Sequence, residues 1–232
     1  MSAGLLWYQW MAIAALVICL TACLLHLTRI IRLGKPKDFA RQAPQKGNAV
    51  FYAFTGAMSP AKKESAYLHL PTYTAGILYH LGTFLSFFLF FFILADRLPS
   101  GWFSGLIIAY LLVSTISGIA IFIKRIVKKE LRYLSNPDDF ISNFLVTSFQ
   151  FMTLTMIFLI SPLPIISSSP LHVLLASFSP AIHWSYYFIF ILLTLYTPIG
   201  KLRHLVYFFA ARYHLGYFFG WRGVWPSGKV KN

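Results

Sequence analysis

Apolar positions gather along this chain into five long runs, at about 5–28, 72–95, 101–123, 141–163 and 179–201, with short polar connections between them. A hydrocarbon core roughly 30 Å thick is crossed by a helix of about 20 mainly apolar residues, so each run predicts one transmembrane helix. The pattern therefore predicts an all-α integral membrane protein. Its architecture is a five-transmembrane-helix bundle, one membrane domain over residues 1–232 that ends in an aromatic and basic tail at 202–232. The first run is too long for a signal-peptide core, and it lacks a basic leader and a clear cleavage site, so it is read as a retained helix.

Composition agrees with this reading: 58% of residues are hydrophobic, 11% are charged and the mean hydropathy is +0.67, which no water-facing surface requires. Charge placement then adds direction. Basic residues fill the first connection from Arg29 to Lys63, the third from Lys124 to Arg132, and the tail from Lys201 to Lys231, whereas the second and fourth connections hold only Arg97. Lys and Arg near helix ends stay on the cytoplasmic side, so the N-terminus is expected outside and the C-terminus in the cytoplasm. The net charge of +14 follows from this bias and from attraction to anionic headgroups, and nucleic acid is not needed to explain it.

Local signals fill in the connections. Lys35-Pro36-Lys37 and Gly47-Asn48 mark turns. Ala61 to Leu70 is expected as a short surface helix, with Ser59 as N-cap and Pro60 at its first position. Pro71 either kinks one long helix or opens the second span. Asp138 and Asp139, after Asn136-Pro137, suit the positive N-terminal end of the fourth helix. The segment from Tyr207 to Trp225 interleaves aromatics with Arg212, His214 and Arg222. It reads equally as a membrane-surface anchor and as a docking surface for a soluble partner.

Acidic residues are nearly absent at membrane depth, which argues against the carboxylate relays of a proton-coupled transporter. Histidine remains. His69 and His80 bracket the cytoplasmic half of the second span, and His183 and His204 bracket the fifth. Eleven residues end roughly 20° past three whole turns and twenty-one end about 60° short of six, so each helix can aim both imidazoles to one side. The two spans run in opposite directions. His69 is therefore expected to meet His204 near the cytoplasmic face, and His80 to meet His183 further out. Two facing imidazole pairs inside a bundle are what two bis-histidine b-type haems require. The separations differ, roughly 16 Å along one helix and 31 Å along the other, and tilt must absorb the difference. Two haems b are expected, or one if Pro71 carries His69 away from the inner site.

Other polar residues have plainer readings. His26 is interfacial beside Arg29, and His172 and His214 are surface residues. Cys19 and Cys23 pack one turn apart, and the absence of a C-x-x-C-H run excludes a covalently attached c-type haem. Asn143, Thr147 and Gln150 form a stripe for interhelical hydrogen bonds or a cofactor edge. Ser114 and Gly118 make a small-residue helix contact. Gly76 and Gly82 beside His80 serve either helix packing or the close approach of a porphyrin.

With Leu68-His69-Leu70, Gly76-Ile77-Leu78-Tyr79-His80-Leu81-Gly82, His183 and Pro198-Ile199-Gly200-Lys201-Leu202-Arg203-His204 in view, the chain resembles the gamma subunit of respiratory nitrate reductase. It is closer still to the membrane cytochromes b of heterodisulfide-reductase-like and dissimilatory sulfite-reduction-associated complexes. Tyr213-His214-Leu215-Gly216 and Trp221 to Pro226 add to the likeness. The resemblance implies that His69, His80, His183 and His204 are axial ligands of haem iron, and that a quinone binds near the outer haem, where Arg97 is the basic candidate. It also implies electron exchange between membrane quinone and a cytoplasmic iron–sulfur or molybdenum subunit, in a prokaryotic cytoplasmic membrane. No soluble stretch is long enough to house a catalytic site, so that half of the reaction belongs to a partner. The alternative is a haem-free anchor or assembly subunit for the same kind of complex.

Overall fold

The computed structural model describes residues 5–34, 38–43, 46–59, 69–97, 101–160 and 164–226, and among these it contains helices and no strand. The helices in chain order are α1 (Trp7–Arg32), α2 (Lys46–Phe54), α3 (Leu70–Leu94), α4 (Trp102–Val127), α5 (Lys129–Tyr133), α6 (Pro137–Ile160), α7 (Pro164–Ser167), α8 (Pro170–Ser177), α9 (Ser179–Tyr196) and α10 (His204–Trp221). Four of them, α1, α3, α4 and α6, are each long and apolar enough to cross a membrane.

The fifth predicted span takes a different form. Instead of one straight helix over 179–201, α8 and α9 meet at a bend of 76° around Phe178 and meet the same criterion only together. The cause is local, because Pro180 has no N–H to continue the ladder back into α8. The start of the fourth span also shifts, from 141 to Pro137. Asn136 Oδ1 accepts from Asp139 N at 2.9 Å while Asp139 Oδ2 accepts from Asn136 N at 3.0 Å, a reciprocal cap that carries the helix beyond its apolar run. Pro71 falls in the first turn of α3, where a missing N–H costs nothing. Gly47 and Asn48, expected in a turn, instead occupy the first turn of α2, where their N–H groups have no intrahelical acceptor and the helix demands least of them. The surface helix expected over 61–70 lies outside the described residues up to residue 68. Ser59, its expected cap, donates its hydroxyl back to Gly56 O.

The chain divides into two compact units, Met1–Cys19 with Pro71–Lys201 and Leu20–Leu70 with Leu202–Asn232. In the first, α4 packs on α6 and α6 on α9. Phe90 of α3 stacks on Phe190 of α9 with ring centroids 3.6 Å apart, and Phe149 of α6 lies against both Phe87 and Tyr186. Lys124 at the end of α4 hydrogen-bonds Thr72 at the start of α3. Asp139 at the start of α6 takes Arg125 from the end of α4 and Lys201 from beyond the end of α9. Successive spans thus alternate in direction, and the basic helix ends gather at one end of the unit. At the other end, Gln9 of α1 donates to the Tyr187 hydroxyl at 3.2 Å, and beside it Trp184 meets Trp7 edge-on and Tyr8 at a tilt.

The second unit is built on the contact of α2 with α10. Ala49 and Ala53 are fully buried, and a Cβ placed on Gly216 would come within 2.6 Å of Val50 Cα and 3.0 Å of Ala49 O. Backbone atoms cannot yield as a flexible side chain can. Gly216→Ala is therefore expected to destabilise the unit by about 1–3 kcal/mol. A lowered melting temperature of the detergent-purified protein would register it, and an unchanged one would show that the contact is looser than described. Arg222 Nε donates to Asp38 Oδ2 at 2.9 Å, and this bond holds the Asp38 carboxyl below its ordinary range. The clasp is intact at neutral pH and is lost only as the pH falls through that lowered value.

Candidate functional site

The sequence-predicted histidines divide between the two units, His80 and His183 in the first, His69 and His204 in the second. His80 lies about three turns into α3. Its ring Nδ1 is 2.7 Å from Gly76 O, four residues back. His183, near the start of α9, has Nδ1 at 2.8 Å from Ser179 O, also four residues back, with the Ser179 hydroxyl at 3.3 Å. A carbonyl oxygen only accepts, so both rings carry their proton on Nδ1 when neutral and present the lone pair at Nε2. This is the tautomer that a histidine ligand needs, with the second ring nitrogen anchored to fix the plane of the imidazole.

The two glycines near His80 separate in role. A Cβ on Gly82 would sit 1.8 Å from Ser114 Oγ, so Gly82 exists to let α3 and α4 touch. A Cβ on Gly76 would meet nothing within 4 Å. Gly76 shares the exposed face of α3 with His80, since residues four apart lie one above the other. That face is bare of side chain where a flat macrocycle would need room.

The expected pairing of His80 with His183 is not what the helices deliver. Phe87 meets Phe190, while Phe90 meets Tyr186 and Tyr187, so α3 and α9 run antiparallel with Phe90 level with about residue 187. Counted out at about 1.5 Å per residue, His80 and His183 stand roughly 20 Å apart along the bundle. One iron binds imidazoles on its two faces at nearly one depth, so these two residues each suit an iron ligand but do not suit the same iron. Pairing by helix direction left the register of His80 against His183 open, and the aromatic contacts decide it.

The same register sets His183 within about a turn of the level of Arg97. Arg97 is exposed just past the end of α3, where Asp96 adopts φ +50° and Arg97 N donates to Phe92 O at 2.9 Å. The quinone candidate and His183 therefore share one end of the unit. In the second unit, His204 is the exposed first residue of α10 and His69 is exposed in the turn before α3. His26 lies beside the α10 tyrosine, with Nδ1 at 3.2 Å from the Tyr207 hydroxyl. His172, read as a surface residue, has Nε2 at 3.1 Å from Leu159 O, where it satisfies a carbonyl in the last turn of α6.

The polar stripe on α6 proves to be an interhelical bond network. Gln150, fully buried, donates from Nε2 to Tyr79 O at 2.8 Å and Thr83 Oγ1 at 2.7 Å, and accepts from Ser114 at 2.9 Å. Thr147 Oγ1 lies 3.2 Å from the Tyr79 hydroxyl, which donates to Asn143 O. Tyr79, the neighbour of His80, is thus held by three residues of α6, with Ser114 of α4 tied in through Gln150. Its role was not visible beforehand, because a lone tyrosine in an apolar run gives no signal of what it will meet. Among the described residues no three His, Cys, Asp or Glu side chains form a group that could hold a metal ion, and an axial haem site does not call for one. Comparison with protein-family models, curated proteins and solved structures returns no match.

Proposed function

We propose that this chain is a b-type haem-bearing membrane subunit of a quinone-linked respiratory complex in a prokaryotic cytoplasmic membrane. Its basic end faces the cytoplasm and its N-terminus lies outside. The observation that carries the reading is the anchoring of both intramembrane imidazoles, His80 and His183, through Nδ1, which turns the metal-binding lone pair of each outward from its helix. A bound haem would supply one-electron carriage at a potential set by its ligands and its dry surroundings.

The chain's own residues do the rest. Gly76 leaves the His80 face open, and the bonds from Thr147 and Gln150 to Tyr79 hold that stretch of α3 at a fixed rotation. The apolar spans keep water from the imidazoles. Lys124, Arg125 and Lys201 gather at one end of the first unit, where a cytoplasmic iron–sulfur or molybdenum subunit would dock. Arg97, at the opposite end, stands where its guanidinium can donate to a quinone carbonyl. The axial offset between His80 and His183 supports their serving different irons.

The same offset favours a second reading, in which the chain carries no haem and anchors or assembles a complex of this kind. The reduced-minus-oxidised absorption spectrum of the purified protein separates the two, with pyridine haemochrome to count haem per chain. A b-type α band is expected. Gly76→Leu sharpens the test, because leucine favours a helix over glycine by about 0.8–1 kcal/mol and meets no neighbour here, yet fills the face beside His80. A stable variant depleted of haem supports the proposal; no haem in the parent protein leaves the anchor.

A further inference from the structure

The turn that joins α4 to α6 is basic and apolar at once. Every residue from 126 to 134 is exposed, with Val127 at 70%, Tyr133 at 80% and Leu134 at 84%. Among them Lys128, Lys129 and Arg132 set three positive charges against the single negative charge of Glu130. At the same end of the first unit, Lys124 is engaged by Thr72, Arg125 by Ser135 and Asp139, and Lys201 by Asp139. Lys128, Lys129 and Arg132 form no ion pair and no side-chain hydrogen bond among the described residues, although the Arg132 guanidinium lies 5.9 Å from the centroid of the Tyr133 ring. Three cations thus lack a counter-charge within the fold.

Depth then selects what meets them. Measured along α4 from Trp102, Lys124 stands about 33 Å away, close to the thickness of the hydrocarbon core, and Lys128 about 39 Å away. A bilayer with its headgroups is about 40–45 Å thick, so Lys128 falls within the headgroup layer, and any tilt of α4 draws it further in. With five residues α5 is about 7.5 Å long, too short to carry the turn clear of that layer before α6 returns. At about 100° per residue, Lys129 and Arg132 share one side of α5 while Leu131 and Leu134 share the opposite side. Anionic lipid answers both sides, with phosphate for the cations and the upper acyl chain for the leucines and Tyr133. We infer that the turn between α4 and α6 binds anionic phospholipid, with Lys128, Lys129 and Arg132 on the headgroup phosphate. The inference goes beyond the proposed function and does not depend on it, because it needs only that α4 and α6 cross a membrane.

The test holds the full-length protein in nanodiscs of mixed phosphatidylcholine and phosphatidylglycerol, with a trace of one lipid or the other carrying a photoreactive diazirine on its headgroup. Cross-links are mapped by mass spectrometry. On peptides covering residues 128–136, the phosphatidylglycerol probe is expected to label about fivefold or more above the phosphatidylcholine probe. The combined variant Lys128→Gln, Lys129→Gln and Arg132→Gln should bring the two probes level. It keeps the fold, since none of these side chains bonds to another among the described residues. The exchange Lys128→Arg, Lys129→Arg and Arg132→Lys should preserve the preference. Equal labelling by both probes in the parent protein, or a preference that survives loss of the three cations, would overturn the inference. So would a preference abolished by inorganic phosphate but not by chloride of equal ionic strength, which would mark a site for the free anion.

Discussion

His80→Ala is expected to remove about half of the haem bound per chain, His183→Ala about the other half, and the double variant nearly all of it. The expectation comes from register. Ligands of one iron are lost together, so if both residues gripped the same haem either single variant would empty that site and the double variant would do no more. Ligands of two irons lose haem independently, and the losses add. Pyridine haemochrome on matched preparations distinguishes the two patterns. Neither variant should unfold the protein, because the ring bonds of His80 to Gly76 O and of His183 to Ser179 stay within one helix, and each of those carbonyls already sits in the helical ladder.

The second large effect lies at the basic end. Asp139 is 7% exposed, closes the cap of α6 with Asn136, and faces Arg125 at 3.4 Å and Lys201. Three helix ends meet at this one carboxylate. Asp139→Ala removes the cap and the carboxylate that Arg125 and Lys201 share. Loss of a helix cap costs about 1 kcal/mol and loss of a buried ion-pair partner about 3–5. The Arg125 and Lys201 side chains are 28% and 53% exposed, so water recovers much of the second figure. A total near 2–3 kcal/mol follows, or a melting temperature lower by roughly 5–10 °C. Asp139→Asn keeps the capping oxygen and should lose about half as much. Equal losses for the two variants would mean that charge alone, and not the cap, holds the helix ends.

The spans were legible in the sequence because lipid imposes so simple a demand. The runs at 72–95 and 101–123 became α3 and α4 with ends displaced by a few residues, and within the first unit Arg125 and Lys201, from the ends of two spans, came together at Asp139. The small-residue contact at Ser114, Gly118 and Gly82 was legible, whereas that of α2 with α10 was not. Ala49, Ala53 and Gly216 bind α2 to α10 by letting backbones approach, and small side chains leave little trace in hydropathy. The bend at Phe178 was signalled by Pro180, but a proline near a helix start is ordinary and does not announce 76°. For the histidines, their order along the helices was readable and their relative depth was not. That depth depends on Phe90 finding Phe190, a contact between residues a hundred positions apart.

The most direct measurement of the central claim is an electron cryo-microscopy map of the purified protein at side-chain resolution. The account predicts flat macrocycle density bound at Nε2 of His80 over the Gly76 face, with Nδ1 still on the Gly76 carbonyl, and separate density at His183. A map in which both Nε2 atoms meet only lipid, peptide or water would contradict it.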